Sequence, residues 1–231
     1  LCDRISVLRD GQYVGTIVRA QASEDELIRM MVGREVGIYR RSHHAHASSQ
    51  EPLLRVQGLT APGRFTDISF SIRPGEIVGF AGITGSGRTE VVRAIFGADP
   101  HGGEMRVAGE PYRPRSPTEA IRRGIALVNE DRKAHGLFLK LNVTANITVS
   151  ALKGLCRAGV IRSARERSLV QRMIRDLRIK TPDANFIVLN MSGGNQQKVI
   201  LGRWLSVDTR LLIMDEPTRG IDVGSKAEIY Q

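Results

Sequence analysis

The stretch that most constrains this chain is residues 77–96. An apolar run, Ile77-Val78-Gly79-Phe80-Ala81, leads directly into Gly82-Ile83-Thr84-Gly85-Ser86-Gly87-Arg88-Thr89, after which Val91, Val92, Ile95 and Phe96 continue at helical spacing. The pattern predicts a strand, a glycine-rich loop and a helix, with Gly82 and Gly87 framing four residues ahead of a basic side chain and a hydroxyl. Glycines there let successive backbone N–H groups turn toward one point, and the following helix adds the positive end of its dipole. A concavity of that kind binds phosphate. Gly82, Thr84, Gly85, Ser86, Gly87, Arg88, Thr89 and Glu90 are therefore the first candidate contacts for a nucleotide.

Two other segments agree. Leu211-Leu212-Ile213-Met214 is a short apolar run suited to a strand buried on both faces, and it ends in adjacent carboxylates, Asp215 and Glu216. Asp215 is placed to hold Mg²⁺ through water while the Thr89 hydroxyl binds it directly, and Glu216 to polarise an attacking water. Upstream, Met191-Ser192-Gly193-Gly194-Asn195-Gln196-Gln197-Lys198 precedes a helix carrying Val199, Ile200, Trp204 and Leu205. A Ser-Gly-Gly run at a helix N-terminus offers a hydroxyl and exposed amides, a second anion site, with Trp204 read as core packing.

Strands alternate with helices from Leu53 onward, the order of a parallel sheet with crossover helices. Predicted strands cover 53–57, 67–72, 76–81, 104–107, 125–128 and 211–214, the early ones forming a small antiparallel sheet. Capping boxes at Ser116–Glu119 and Ser163–Glu166 start helices, the second with Leu169, Met173, Ile174 and Leu177 on one face and arginines on the other. No strand is predicted between 137 and 205, so that stretch reads as a helical insertion.

Before Leu53 the pattern differs. Ile5–Leu8 and Tyr13–Ile17 flank an Asp10-Gly11 turn, a hairpin signal, and a capping box at Ser23–Glu26 opens a helix with Leu27, Met30 and Met31 on one face up to Gly33. Residues 40–52, including His43, His44 and His46, read as a polar linker, since no carboxylate or cysteine partner lies near the histidines.

Composition narrows the function classes. A chain of 231 residues buries a core without staples, and 41% hydrophobic with 25% charged residues is the usage of a folded protein. No apolar run reaches the roughly 18 residues of a membrane span. Lys and Arg number 34 against 24 Asp and Glu, and the excess of +10 points to nucleic acid, nucleotide phosphates or an anionic membrane face. At 5% aromatics, a stacking surface for single-stranded nucleic acid is disfavoured. Cys2 and Cys156 show neither a disulfide framework nor metal spacing. The chain opens on Leu1 inside a strand pattern and closes on Tyr230-Gln231 inside a helix pattern, which predicts a piece cut from a longer polypeptide.

The phosphate loop, helical insertion, Ser-Gly-Gly helix and Asp-Glu strand, in this order, resemble the ATPase domain of an ABC protein over residues 53–231. The resemblance implies an α/β fold, a P-loop NTPase core with an antiparallel β subdomain and an inserted helical subdomain, and ATP and Mg²⁺ as cofactors. It also implies that Ser192, Gly193 and Gly194, with Gln196, form the signature element that contacts ATP on the opposite domain of a head-to-tail dimer. Asp222, in Gly220-Ile221-Asp222, matches the loop that communicates across that dimer. Gly87-Arg88-Thr89-Glu90, Glu130-Asp131-Arg132-Lys133, Gly194-Asn195-Gln196-Gln197-Lys198 and Asp215 through Gly224 further resemble the second half of the tandem ATPase subunits of bacterial sugar importers for ribose, galactose and xylose. The implied organisation is a C-terminal tail of a preceding ATPase domain at 1–36, a linker at 37–52, and a second ATPase domain at 53–231, truncated at its C-terminus. The implied partners are the first ATPase half, in the same or a second polypeptide, transmembrane permease subunits, and indirectly a periplasmic sugar-binding protein. The implied location is the cytoplasmic face of the inner membrane.

Two departures from the family pattern matter. Arg88 stands where active sites of the family carry Lys, and a planar guanidinium does not act as a point charge among phosphates. Glu130 replaces the usual Gln, which makes it a candidate metal and nucleotide contact beside Thr89 and Asp215. Phe65 is the available aromatic for adenine stacking. The expectation is a site that binds nucleotide but hydrolyses it slowly, while this half's signature completes the productive site of the first half. Alternatives are a regulatory nucleotide-binding module without hydrolysis and an ABC ATPase acting on nucleic acid. Zinc ligands, coiled-coil heptads and a basic arm are all missing from the sequence, so no nucleic-acid partner is expected. In the insertion, Leu137-Phe138 and Val143–Ile147 fit permease contacts and core packing equally.

Overall fold

The computed structural model describes residues 2–9, 11–33 and 51–230. Asp10 of the expected turn and the linker histidines His43, His44 and His46 lie outside the described residues. The chain divides into two compact units, residues 1–43 with 218–231, and residues 44–217.

In the first unit, β1 (Arg4–Arg9) and β2 (Gln12–Val18) form an antiparallel hairpin with Arg4 opposite Val18 and Arg9 opposite Gln12. Helix α1 (Glu24–Val32) starts where Ser23 Oγ accepts a hydrogen bond from the Glu26 amide at 3.2 Å. Gly33 ends it in the left-handed region, φ 78°. Glu26 turns its carboxylate to Arg29, 2.7 Å away. Met30 packs on the hairpin at Gly15, whereas Met31, expected beside it, lies 100° round the helix and is exposed.

In the second unit, β3 (Leu54–Ala61) lies between β4 (Phe65–Ile72) and β5 (Gly102–Val107), and β6 (Glu110–Pro111) completes a four-stranded antiparallel sheet ordered β4-β3-β5-β6. Leu54 and Val56 alternate inward, Leu59 joins them past a register shift in β3, and all three are fully buried. Helix α2 (Arg88–Ile95) follows the phosphate loop, and α3 (Pro117–Arg122) precedes β7 (Ile125–Val128), all four of whose residues are buried. The insertion holds α4 (Val143–Thr148), α5 (Leu152–Leu155), a two-residue hairpin of β8 (Cys156–Arg157) and β9 (Val160–Ile161), α6 (Ser163–Asp176) and α7 (Gly193–Leu205). Strand β10 (Leu211–Met214) pairs in parallel with β7, Leu211 opposite Ile125 and Met214 opposite Val128. Helix α8 (Val223–Tyr230) belongs to the first unit, where Gly224 faces Val32 of α1.

Several expectations are corrected. Residues 76–81 enter no strand ladder among the described residues, and a strand exists only by pairing. Ile77 and Ile83 are consequently 77% and 83% exposed, while Phe80 meets Phe70 edge to face at 5.0 Å. The insertion is not strand-free, since Ala158 and Gly159, both at positive φ, turn the β8–β9 hairpin. Arg162, not Ser163, is the N-cap of α6, and Glu166 accepts from Thr148 Oγ1 at 3.2 Å. Ser116 does cap α3 by position, but without a side-chain bond. Val143, Asn146 and Ile147 are core residues, whereas Phe138 is half-exposed.

A buried cation ties the insertion together. Arg203 of α7 donates from Nε to Asn146 O at 2.8 Å, from Nη1 to Gly136 O at 2.7 Å and from Nη2 to Asn146 Oδ1 at 2.9 Å, with Phe138 beneath its guanidinium. Burial pushes its pKa down to about 10. Asn146 Nδ2 in turn donates to Phe138 O at 2.9 Å, so one network joins α4, α7 and the loop at 136–138. Trp204 packs edge to face on Phe96, as core. Among the described residues, no helix is long and apolar enough to cross a membrane.

Candidate functional site

The glycines of the loop have distinct reasons to be glycine. A Cβ on Gly82 would fall 2.5 Å from Ser86 Oγ, and one on Gly87 would fall 3.1 Å from the Arg64 carbonyl. Gly87 also sits at φ 91° as the residue before α2, and Gly85 at φ 81° faces open space. The Ser86 amide donates to Ile83 O at 3.1 Å, closing the turn. Thr84, Gly85 and Ser86 are exposed, so the loop opens to solvent ahead of α2, with Glu90 half-buried in its first turn.

Two side-chain pairs clip the start of α2 to the end of β10. Thr89 Oγ1 donates to Asp215 Oδ2 at 2.7 Å, and Arg88 Nη2 donates to Glu216 Oε1 at 3.0 Å. Asp215 is buried, and its amide extends the β7–β10 ladder by donating to Val128 O at 2.9 Å. Glu216 is held at φ 43°, a left-handed conformation that a non-glycine residue adopts at a cost, typical of positions fixed for function. A hydroxyl and a carboxylate at hydrogen-bond distance form the hard oxygen pair that Mg²⁺ takes, so Thr89 and Asp215 fit that ion.

Glu130 is half-buried beyond β7. Its neighbour Asp131 caps the single π-turn at Arg132–Gly136, and the Ala134 amide, followed by that of Lys133, holds its carboxyl below the ordinary aspartate value. No three His, Cys, Asp or Glu side chains among the described residues are grouped to hold a metal, so Glu130 forms no carboxylate trio with Asp215 and Glu216. Phe65 is buried against Gly87, which leaves its ring little free face for adenine.

The Ser-Gly-Gly element is the opening of α7. Ser192 is its exposed N-cap, and its Oγ accepts from Asn195 Nδ2 at 2.9 Å rather than from the helix backbone. Asn195 Oδ1 accepts from the Lys180 amide at 2.8 Å. Asn195 therefore orients the Ser192 hydroxyl, a role whose only sequence signal is the three-residue spacing. Gly193 is half-buried and Gly194 buried. Gln196, expected to touch ligand, is buried and donates to Val188 O at 3.1 Å. No hydrogen bond among the described residues joins Ser192, Gly193 or Gly194 to residues 82–89.

Asp222 lies in the first unit and caps α8, its Oδ1 accepting from the Ser225 amide at 2.8 Å. Burial works to raise its pKa, but that amide and the Ser225 hydroxyl bring it below the ordinary value.

The sequence profile of the family described as "ABC transporter" matches residues 65–219, the span from β4 through both clipped pairs. The chain belongs to the ABC transporter family. Its ABC transporter relatives include the Ribose import ATP-binding protein RbsA of Geobacillus kaustophilus, 49% identical over all of this chain and 47% of that protein. Another is the Putative ribose/galactose/methyl galactoside import ATP-binding protein of the same organism, 47% identical over all of this chain and 46% of that protein. The chain thus spans about half the length of the curated relatives it matches. Among solved structures, the ATP-binding cassette MJ1267 of an ABC transporter superposes with TM-score 0.66 at 19% identity, over 78% of this chain and 75% of that one. The cassette MJ0796, in a dimeric post-hydrolysis state bound to ADP and phosphate, gives TM-score 0.63 at 20% identity, over 76% and 79%. The fold is accordingly that of the ABC ATPase cassette, an α/β P-loop NTPase core with an antiparallel β sheet.

Proposed function

We propose that this chain is the second ATPase half of the ATP-binding subunit of a bacterial ABC importer for a monosaccharide, with a phosphate site that holds ATP and turns it over slowly. The observation that carries the reading is the double clip of Thr89 on Asp215 and Arg88 on Glu216. Relatives named for ribose and galactose import support the sugar class.

In this reading the amides around Gly85 and Gly87 and the N-terminus of α2 face the β- and γ-phosphates, with Thr84, Ser86 and Gly82 shaping the turn. Thr89 and Asp215 hold Mg²⁺, which supplies positive charge to the phosphate oxygens. Glu216 is the residue suited to accept a proton from the attacking water, yet its Oε1 already accepts from Arg88 Nη2 at 3.0 Å, which ties that oxygen to the guanidinium. A second reading, a nucleotide clamp with no hydrolysis at all, takes its support from the same ion pair. Ser192, Gly193 and Gly194, free of the local loop, serve the ATP of the other half, with Asp222 near the junction between halves.

Residues 1–36 are then the end of the first half, 37–52 the linker, and 53–231 the second domain. The partners are the first ATPase half, permease subunits and, through them, a periplasmic sugar-binding protein, at the cytoplasmic face of the inner membrane. In the two-half protein, Arg88→Ala should keep most ATPase activity while Ser192→Ala loses it; the reverse pattern overturns the division of labour.

A further inference from the structure

We propose that the exposed face of α6, with the β8–β9 hairpin that leads into it, is a docking surface for the anionic headgroups of a phospholipid bilayer. Between Lys153 and Lys180 the chain carries nine basic side chains against two carboxylates, Glu166 and Asp176, an excess of seven out of ten for the whole chain. Structure concentrates this charge further. Helix α6 turns Val170 and Met173 inward, and leaves Arg165, Arg167, Arg172 and Arg175 exposed. Arg165, Arg172 and Arg175, at seven- and three-residue steps, fall within 80° of one another round the helix. Arg175 is paired with Asp176 at 3.2 Å, but Arg165, Arg167 and Arg172 form no ion pair with a described residue. Arg165 and Arg172 stand about 10.5 Å apart along the axis and flank an open groove of about 350 Å³ floored by Ser168 and Leu169.

The choice of occupant rests on what accompanies the charge. Val160 and Ile161, immediately before Arg162, are 69% and 40% exposed at the tip of the hairpin. Exposed aliphatic side chains directly preceding an arginine-rich helix in sequence match the interface of an anionic bilayer, where apolar groups enter the acyl boundary and guanidinium groups remain among phosphates. A surface for single-stranded nucleic acid would use aromatic stacking, and no Phe, Tyr or Trp occurs between residues 153 and 180. The inference does not depend on hydrolysis at the phosphate loop, and it gives the chain a membrane contact of its own.

The test is co-sedimentation of the 231-residue chain with vesicles of phosphatidylcholine alone or mixed with phosphatidylglycerol. Binding is expected to the mixed vesicles only, and to weaken with salt. Each arginine near such a surface is worth about fivefold in partitioning, so Arg165→Glu with Arg172→Glu should lose at least tenfold, and the milder pair Arg165→Gln with Arg172→Gln a smaller amount. Val160→Ser with Ile161→Ser should remove the salt-resistant part. Arg55→Glu with Arg106→Glu, the same charge change on the exposed face of β3 and β5, should bind as the parent does. Melting curves and nucleotide titration confirm that each variant is folded. The proposal fails if the parent ignores the mixed vesicles, if the control pair loses as much as the α6 pair, or if α6 instead governs binding of polyglutamate or duplex DNA.

Discussion

Arg88 Nη2 lies 3.0 Å from Glu216 Oε1, one residue along each segment from the 2.7 Å hydrogen bond between Thr89 and Asp215. Both members of the charged pair remain partly exposed, so the bond adds little to stability. Its consequence is chemical, because the Glu216 oxygen that accepts from the guanidinium is already taken. Lysine at position 88, a point charge without the planar fork, is expected to hold Glu216 less firmly.

Thr89→Val and Asp215→Asn should each weaken nucleotide binding about tenfold when Mg²⁺ is present, and change it less than twofold in EDTA. Titration with a fluorescent nucleotide under both conditions reads the difference.

Gly87→Ala should cost more than Gly85→Ala. Both add strain at positive φ, about 1 kcal/mol or somewhat more, but only at Gly87 does the new Cβ meet a backbone carbonyl, at 3.1 Å. Thermal unfolding should give the larger drop in Tm for Gly87→Ala, and nucleotide affinity should follow the same order.

Arg203→Leu should destabilise the chain by about 3 kcal/mol, since the Gly136 and Asn146 carbonyls are left buried without donors. Asn146→Leu should cost a similar amount, and the double variant less than the sum, because both remove one network. Urea unfolding of the three variants gives the coupling.

Asp99 accepts from Arg93 Nε at 2.8 Å and from Arg64 Nη1 at 2.9 Å. The Arg93 bonds, ahead of the opposing effect of burial, hold its pKa below the ordinary value. A depressed carboxylate contributes stability above its unfolded pKa of about 3.9 and loses it as pH falls through the folded value. Asp99→Asn should therefore lower stability by about 1 kcal/mol at neutral pH, and the gap should close as pH falls below about 4.

The parts of the fold legible in sequence were those set by local pattern. Residues 125–128 and 211–214 are continuous apolar runs bounded by turn residues, and both are strands as bounded, although only the first is buried on both faces: β10 is half-buried, with Met214 exposed. The start and stop of α1 follow from Ser23 and Gly33. Residues 76–81 carry the same kind of pattern, yet pairing depends on a neighbour that pattern does not name. Arg203 was hidden for a related reason, since its acceptors lie 57 and 67 residues away in sequence. At the candidate site, the loop glycines and the Thr89–Asp215 meeting were readable from spacing, whereas the Arg88–Glu216 pair required the two segments to be placed side by side.

The most direct test of that pair is single-turnover ATP hydrolysis at this site, in the two-half protein with the other half's catalytic carboxylate replaced. Arg88→Lys and Glu216→Gln are measured alone and together. Arg88→Lys is expected to raise the rate tenfold or more, Glu216→Gln alone to change it less than threefold, and the combination to erase the gain. A large loss from Glu216→Gln alone, with no gain from Arg88→Lys, would contradict the claim that Arg88 withholds the base.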